Sequence, residues 1–87
     1  EGGINSAGVP VRRIVEIALA VKATTVILAH NHPSGIALPS SEDISTTQRV
    51  AVALEAVDVV LADHLVFADG DYTSMVQSGY YRPGMCW

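Results

Sequence analysis

Apolar residues recur at positions 11, 14, 15, 18, 19 and 21, the spacing of one helical face. Pro10 stands just ahead of them, where its fixed φ and missing N–H suit a first helical turn, so a helix is predicted from about residue 10 to 22. The pattern then changes. Thr24-Thr25-Val26-Ile27-Leu28 is rich in β-branched residues and, from Val26 on, apolar without alternation, which suits a strand covered on both faces. That strand runs directly into His30. Ser40 has the hydroxyl of a helix N-cap, and Glu42 and Asp43 put negative charge into the turn that follows, so a second helix is predicted to about residue 56. Val57 to Ala62 and Leu65 to Ala68 are β-prone and are read as two strands, or as one strand kinked at Asp63-His64. Asp69-Gly70-Asp71 then supplies a turn.

The flanks are less periodic. Gly2-Gly3-Ile4-Asn5-Ser6-Ala7-Gly8 is punctuated by glycine and small polar residues and reads as a loop. Residues 80–87 show neither helical nor strand period and are left unassigned. The order loop, helix, strand, helix, strand, strand is an α/β pattern, a small mixed sheet packed against helices. Its 87 residues make a single domain, 1–87.

Composition narrows the function. Hydrophobic residues are 49% of the chain and charged residues 16%, so a folded core is expected rather than disorder. Glu55, Asp58 and Asp63 interrupt the longest apolar stretch before it reaches the ~18 residues of a membrane span, and no membrane role is expected. A net charge of -4 with only five Lys and Arg argues against direct nucleic-acid binding by this domain, which needs clustered cations. The single cysteine, Cys86, cannot close an internal disulfide, and no basic segment leads into an apolar core, so a reducing, cytoplasmic setting is expected. The chain opens on Glu1, and we expect a C-terminal fragment of a longer protein.

The candidate chemistry sits at the end of the first predicted strand. Residues i and i+2 of a strand point to one face, so His30 and His32 can aim two imidazoles at a single point. Zinc accepts two such nitrogens with a carboxylate oxygen and, in catalytic sites, keeps a fourth position for water. Asp43, eleven residues after His32 at the first turn of the second helix, can supply that oxygen. Water so held has its pKa lowered toward ~7 and attacks carbonyls, which makes hydrolysis the natural reaction, with Ser40 as a candidate donor to the oxyanion. The plainer reading is structural. A His-x-His pair on its own often only ends a strand, and Ser40 with Asp43 three residues on also resembles a capping box, although that motif prefers Glu or Gln at the later position.

His30-x-His32, seven residues, Ser40, two residues, Asp43 resembles the metal-binding signature of the JAB/MPN (JAMM) metalloprotease superfamily. More narrowly, "HNHPSG", "PSSED", Asp63-His64 and the early "GGIN" resemble the RadC family of bacterial proteins, from about residue 2 to 79. The resemblance implies a cytidine-deaminase-like α/β fold with a sheet between helices, zinc held by His30, His32 and Asp43, and Ser40 as a catalytic residue helping to hold the oxyanion. The glutamate that activates the zinc water in active relatives would fall before residue 1, and Glu1 is out of register with it. The sheet should then lack its N-terminal strands, leaving an edge that a second copy of the chain would cover. His64 is read as a half-buried strand residue bonded by its backbone neighbours rather than as a partner of the zinc ligands. Tyr80, Tyr81 and Trp87 are expected to pack locally. The implied activity is that of a zinc-dependent metallohydrolase, peptidase or isopeptidase-like, on a peptide or protein substrate. The alternatives are an accessory domain for DNA repair or recombination and an inactive metal-bearing scaffold.

Overall fold

In the computed structural model, six elements follow one another: β1 (Gly2–Asn5), α1 (Val11–Ala20), β2 (Thr25–Asn31), α2 (Ser41–Glu55), β3 (Val60–Ala68) and β4 (Asp71–Ser74). The structure describes residues 2–5, by their backbone, and 8–84. The strands form one sheet in the order β1-β2-β3-β4. The first two pairings are parallel and the last is antiparallel, so the sheet is mixed and the molecule belongs to the α/β class.

Parallel neighbours need a crossover, and α1 and α2 provide the two. With the strands added in one direction, right-handed crossovers bring both helices to the same face. The core agrees. Ile14 and Ala18 of α1 and Val50, Ala51 and Leu54 of α2 share one cluster with Val26 and Leu28 of β2 and Leu61 of β3. On the other face Val60, Phe67 and Tyr72 remain exposed. Among the described residues, then, helices cover only one side of the sheet. The apolar stripe foreseen on the first helix is wider than its buried face, because Leu19 and Val21 stand in solvent.

Both crossovers turn back without glycine. Lys22 and Asp58 adopt left-handed φ of 56° and 61°, and the amide after each returns to its helix: Ala23 N–H to the Ala18 carbonyl and Val59 N–H to the Leu54 carbonyl, each at 2.9 Å. Such bonds satisfy helix carbonyls that would otherwise lack a partner. The chain then enters β2 or β3 within a few residues.

One expectation needs correction. The stretch read as a loop contains β1, whose Gly2 to Asn5 pair in parallel with Val26 to Ala29. Backbone pairing with a neighbour overrides the turn preference of glycine, which is a local property. The segment after Asp69-Gly70, for which the sequence pattern predicts no element, is also a strand. Asp69 and Gly70 have φ of 47° and 78°, the two positive angles a two-residue hairpin turn uses, and β4 pairs back onto Leu65 to Ala68. Of the two readings offered for residues 57–68, a single kinked strand is observed, but it spans Val60–Ala68 and is irregular at Ala62 rather than at Asp63-His64. The kink is a bulge: Val26 pairs with Leu61 and Ile27 with Asp63, leaving Ala62 as the extra residue.

Past α2 and β4 the tail is anchored by Tyr81, which is buried and donates its hydroxyl to the Leu61 carbonyl at 2.6 Å. Burial pushes its phenol pKa up to about 12, helped by the charges of Glu55 and Asp63. Tyr80 is exposed, and Trp87, like Glu1, lies outside the described residues. No helix among the described residues is long and apolar enough to cross a membrane.

Candidate metal centre

β2 carries His30 at its C-terminal end and His32 just beyond it, so the two imidazoles meet edge to face with ring centroids 4.8 Å apart. The loop 33–40 brings the chain back to α2, and it is moored to the β3–β4 hairpin. His32 N–H donates to the Phe67 carbonyl at 2.8 Å, and the Thr73 hydroxyl donates to the Ala37 carbonyl. Gly35 turns the loop with φ of +84°, and a side chain there would meet the Asp69 carboxylate 2.6 Å away.

At the far end of the loop Ser40 caps α2. Its Oγ accepts the Asp43 N–H at 3.1 Å, and the Asp43 Oδ2 accepts the Ser40 N–H at 2.8 Å, completing a capping box with aspartate at the later position. The structural reading of this pair is therefore correct, but it does not use up Asp43. A carboxylate has about four lone-pair sites. Oδ2 also lies 2.9 Å from His32 Nε2, and Oδ1 lies 3.8 Å from His30 Nε2. The cap holds the carboxylate in one orientation and presents it to both histidines.

One potential ligand atom from each of His30, His32 and Asp43 lies within 4.8 Å of the others. Bonds of about 2.0 Å to a tetrahedral zinc imply ligand separations of about 3.3 Å, and the two carboxylate-to-imidazole distances bracket that value. His32 gives a further test of fit. Its Nδ1 lies 3.1 Å from the Ile36 carbonyl oxygen, which can only accept, so Nδ1 carries a proton. Nε2 then faces the Asp43 oxygen and needs a cation between them, a proton or a metal ion. A carbonyl that fixes the tautomer of a histidine in this way is the usual outer partner of a metal ligand. The donor set of two imidazoles and one carboxylate suits zinc among the divalent ions.

The carboxyl pKa of Asp43 is lowered from its ordinary value. Burial pushes it up, but the hydrogen bonds from the Ser40 backbone and side chain, the charge of His30 and the bond with His32 together outweigh that. The ligand thus stays ionised. A cleft of about 220 Å³ opens beside it, reaching His30, Glu42, Asp43, Thr46 and His64. That is smaller than a typical drug-sized site and admits water and the reacting end of a longer molecule.

His64 departs from expectation. It is 1% exposed rather than half-buried, and its ring bonds to a side chain: Nδ1 lies 2.6 Å from the Thr47 hydroxyl. Its pKa falls to about 4, chiefly through burial, with the Asp43 charge opposing and that of His30 adding to the fall. The bulge explains the position. Without Ala62, an even-numbered residue of β3 would face away from Leu61, whereas His64, Val66 and Ala68 all turn inward. Asp63 braces the bulge, its Oδ1 accepting the His64 and Val76 amides at 2.7 and 3.1 Å and its Oδ2 the Ser74 hydroxyl. Thr47 and the Ile36 carbonyl were not singled out from sequence. A threonine inside a helix reads as a neutral residue, and its place four positions after Asp43 is the one signal available.

The sequence matches the RadC-like JAB domain over residues 1–80. The chain belongs to that family. Among similar curated proteins, a UPF0758 protein of Pseudomonas syringae pv. tomato is 49% identical over 78 residues, covering 90% of this chain and 35% of the relative. A UPF0758 protein of Marinomonas sp. is 51% identical over 78 residues with the same coverage. One from Cellvibrio japonicus is 48% identical over 80 residues, covering 92% of this chain and 36% of its own length. The chain thus spans about a third of the length of these relatives. In this RadC-like JAB domain, the matched region contains every side chain of the candidate centre.

Proposed function

We propose that this RadC-like JAB domain binds one zinc ion through His30, His32 and Asp43 and serves as a metallohydrolase acting on an amide bond of a peptide or protein. The observation that carries the reading is the convergence of those three donors within 4.8 Å, with the His32 tautomer set by the Ile36 carbonyl. A zinc ion so held supplies Lewis-acid chemistry, polarising a carbonyl and acidifying water. The chain's own residues do the rest. His30 and His32 offer imidazole nitrogens from the C-terminal end of β2, an inner strand that pairing with β3 holds in place. Asp43 offers a negative oxygen whose second function, closing the capping box, holds it in place. Ser40 accepts an amide proton through its oxygen, and its own O–H, turned from the Asp43 carboxylate it supports, is the donor offered to the carbonyl oxygen as charge develops there.

The test is metal content by inductively coupled plasma mass spectrometry, with hydrolysis of a peptide library measured in parallel. About one zinc per chain is expected, lost in His30→Ala and in Asp43→Ala, because removing one of three protein ligands leaves too few bonds to hold the ion. A parent chain that takes up no zinc when it is resupplied at neutral pH would overturn the reading. Zinc without hydrolysis of any peptide would leave the metal site standing and reduce the domain to a metal-bearing scaffold.

A further inference from the structure

Behind the donor triad lies a buried polar chain that the proposed reaction does not use. Thr47, fully buried one turn after Asp43, donates its hydroxyl to the Asp43 carbonyl at 2.7 Å. The same hydroxyl lies 2.6 Å from His64 Nδ1, a hydrogen bond in either tautomer of the ring, since a hydroxyl can both donate and accept. Met75, also buried, sets its sulfur 3.5 Å from the same oxygen. Thr47, His64 and Met75 are all buried, and the low-dielectric surroundings strengthen the bonds between them.

The placement of this chain matters. Asp43 rides on α2, while His30 rides on β2, which is paired to β3 with Leu28 beside His64 and His30 beside Val66. The His64 ring also stands edge-on to that of His30, centroids 6.2 Å apart. The apolar contacts of Val50 and Leu54 hold α2 on the sheet but are non-directional. A metal site needs ligand positions good to a few tenths of an ångström, and a short hydrogen bond one turn from the ligand supplies a directional constraint.

We infer that Thr47 and His64 are positioning residues for the metal centre: the chain from the Asp43 carbonyl through the Thr47 hydroxyl to His64 sets the distance between the helix bearing the carboxylate and the sheet bearing the imidazoles. The inference rests on the metal-binding reading above. It assigns His64 and Thr47 a role in ligand geometry beyond filling the core.

The experiment is a titration of the 87-residue chain with Zn²⁺, and separately with Co²⁺, against a chromophoric chelator, with the visible absorption of the cobalt form recorded. The parent is titrated first. Thr47→Val keeps the shape and removes the hydroxyl, and His64→Leu removes its ring partner. Both are expected to weaken metal binding roughly 10- to 100-fold and to move the cobalt band, whereas Thr47→Ser and His64→Asn, which restore the bond, should stay within about threefold of the parent. A merely structural role would lower the melting temperature and leave affinity and spectrum alone. Parental affinity and spectrum in both Thr47→Val and His64→Leu would therefore overturn the inference. Folding is checked by circular dichroism, and if Thr47→Val does not fold, Thr47→Ala against Thr47→Ser repeats the comparison. A parent that binds neither ion would remove the metal reading itself, an outcome told apart because it precedes every variant.

Discussion

At the scale of single residues, the centre is built from side chains with two duties each. Ser40 caps α2 and orients Asp43, and the two duties separate on mutation. Ser40→Ala removes the acceptor for the Asp43 amide but keeps the Ser40 N–H that holds Oδ2. It should cost about 1 kcal/mol of stability, a typical cap loss, and leave zinc stoichiometry intact, as urea unfolding and metal analysis on the same preparation would show. Gly35 has a purely conformational duty. Gly35→Ala meets a left-handed φ of +84° and the Asp69 carboxylate, and should cost about 1 to 2 kcal/mol. Adding Asp69→Ala should recover only the part due to contact. His30, His32, Ser40 and Asp43 were legible in sequence because their spacing is local, spanning one strand end, one loop and one cap. The Ile36 carbonyl was not, since any residue offers a carbonyl and only the fold decides which one faces a ring. His64 was misjudged for a similar reason: its burial depends on α2 and on Met75, neither of which is near it in sequence.

At the scale of elements, the segments that reveal themselves are those with a period of their own. The helices start at Val11 and Ser41, close to where Pro10 and Ser40 mark them. β1 and β4 are short, carry glycine or aspartate, and exist only because a longer strand lies alongside them. The bulge at Ala62 is invisible locally, because adding one residue to a strand changes facing rather than composition. Asp63 is the residue that makes the bulge tolerable, by giving the displaced backbone amides of His64 and Val76 an acceptor. Asp63→Ala should thus cost about 2 to 3 kcal/mol, the penalty for buried donors left without partners. Asp63→Asn, which keeps an oxygen for both amides, should cost under about 1 kcal/mol. Chemical denaturation of the two variants distinguishes this brace from a simple surface carboxylate, for which both would be silent.

At the scale of the whole molecule, the buried histidine couples stability to acidity. His64 has its pKa held down to about 4, mainly by burial, against about 6.5 in an unfolded chain. Above pH 6.5 neither state binds the proton and the group contributes nothing to the slope. Between pH 6.5 and 4 the unfolded state binds a proton that the folded state refuses, so acidification favours unfolding, and the accumulated loss is roughly 3 kcal/mol. Asp43, with its pKa lowered, adds a second loss only below its ordinary value near 3.8, where the unfolded carboxylate protonates first. Of these two groups, His64 is the one that acts in the upper window. Urea midpoints of the chelator-treated chain at pH 7 and pH 4.5 should show a clear fall. The His64→Leu variant should show a smaller fall from pH 7, because its unfolded state has lost the group that takes up the proton. An equal fall in both chains would mean that the proton reaches His64 without unfolding, and hence that the wall of Thr47, Met75 and α2 opens in the native state.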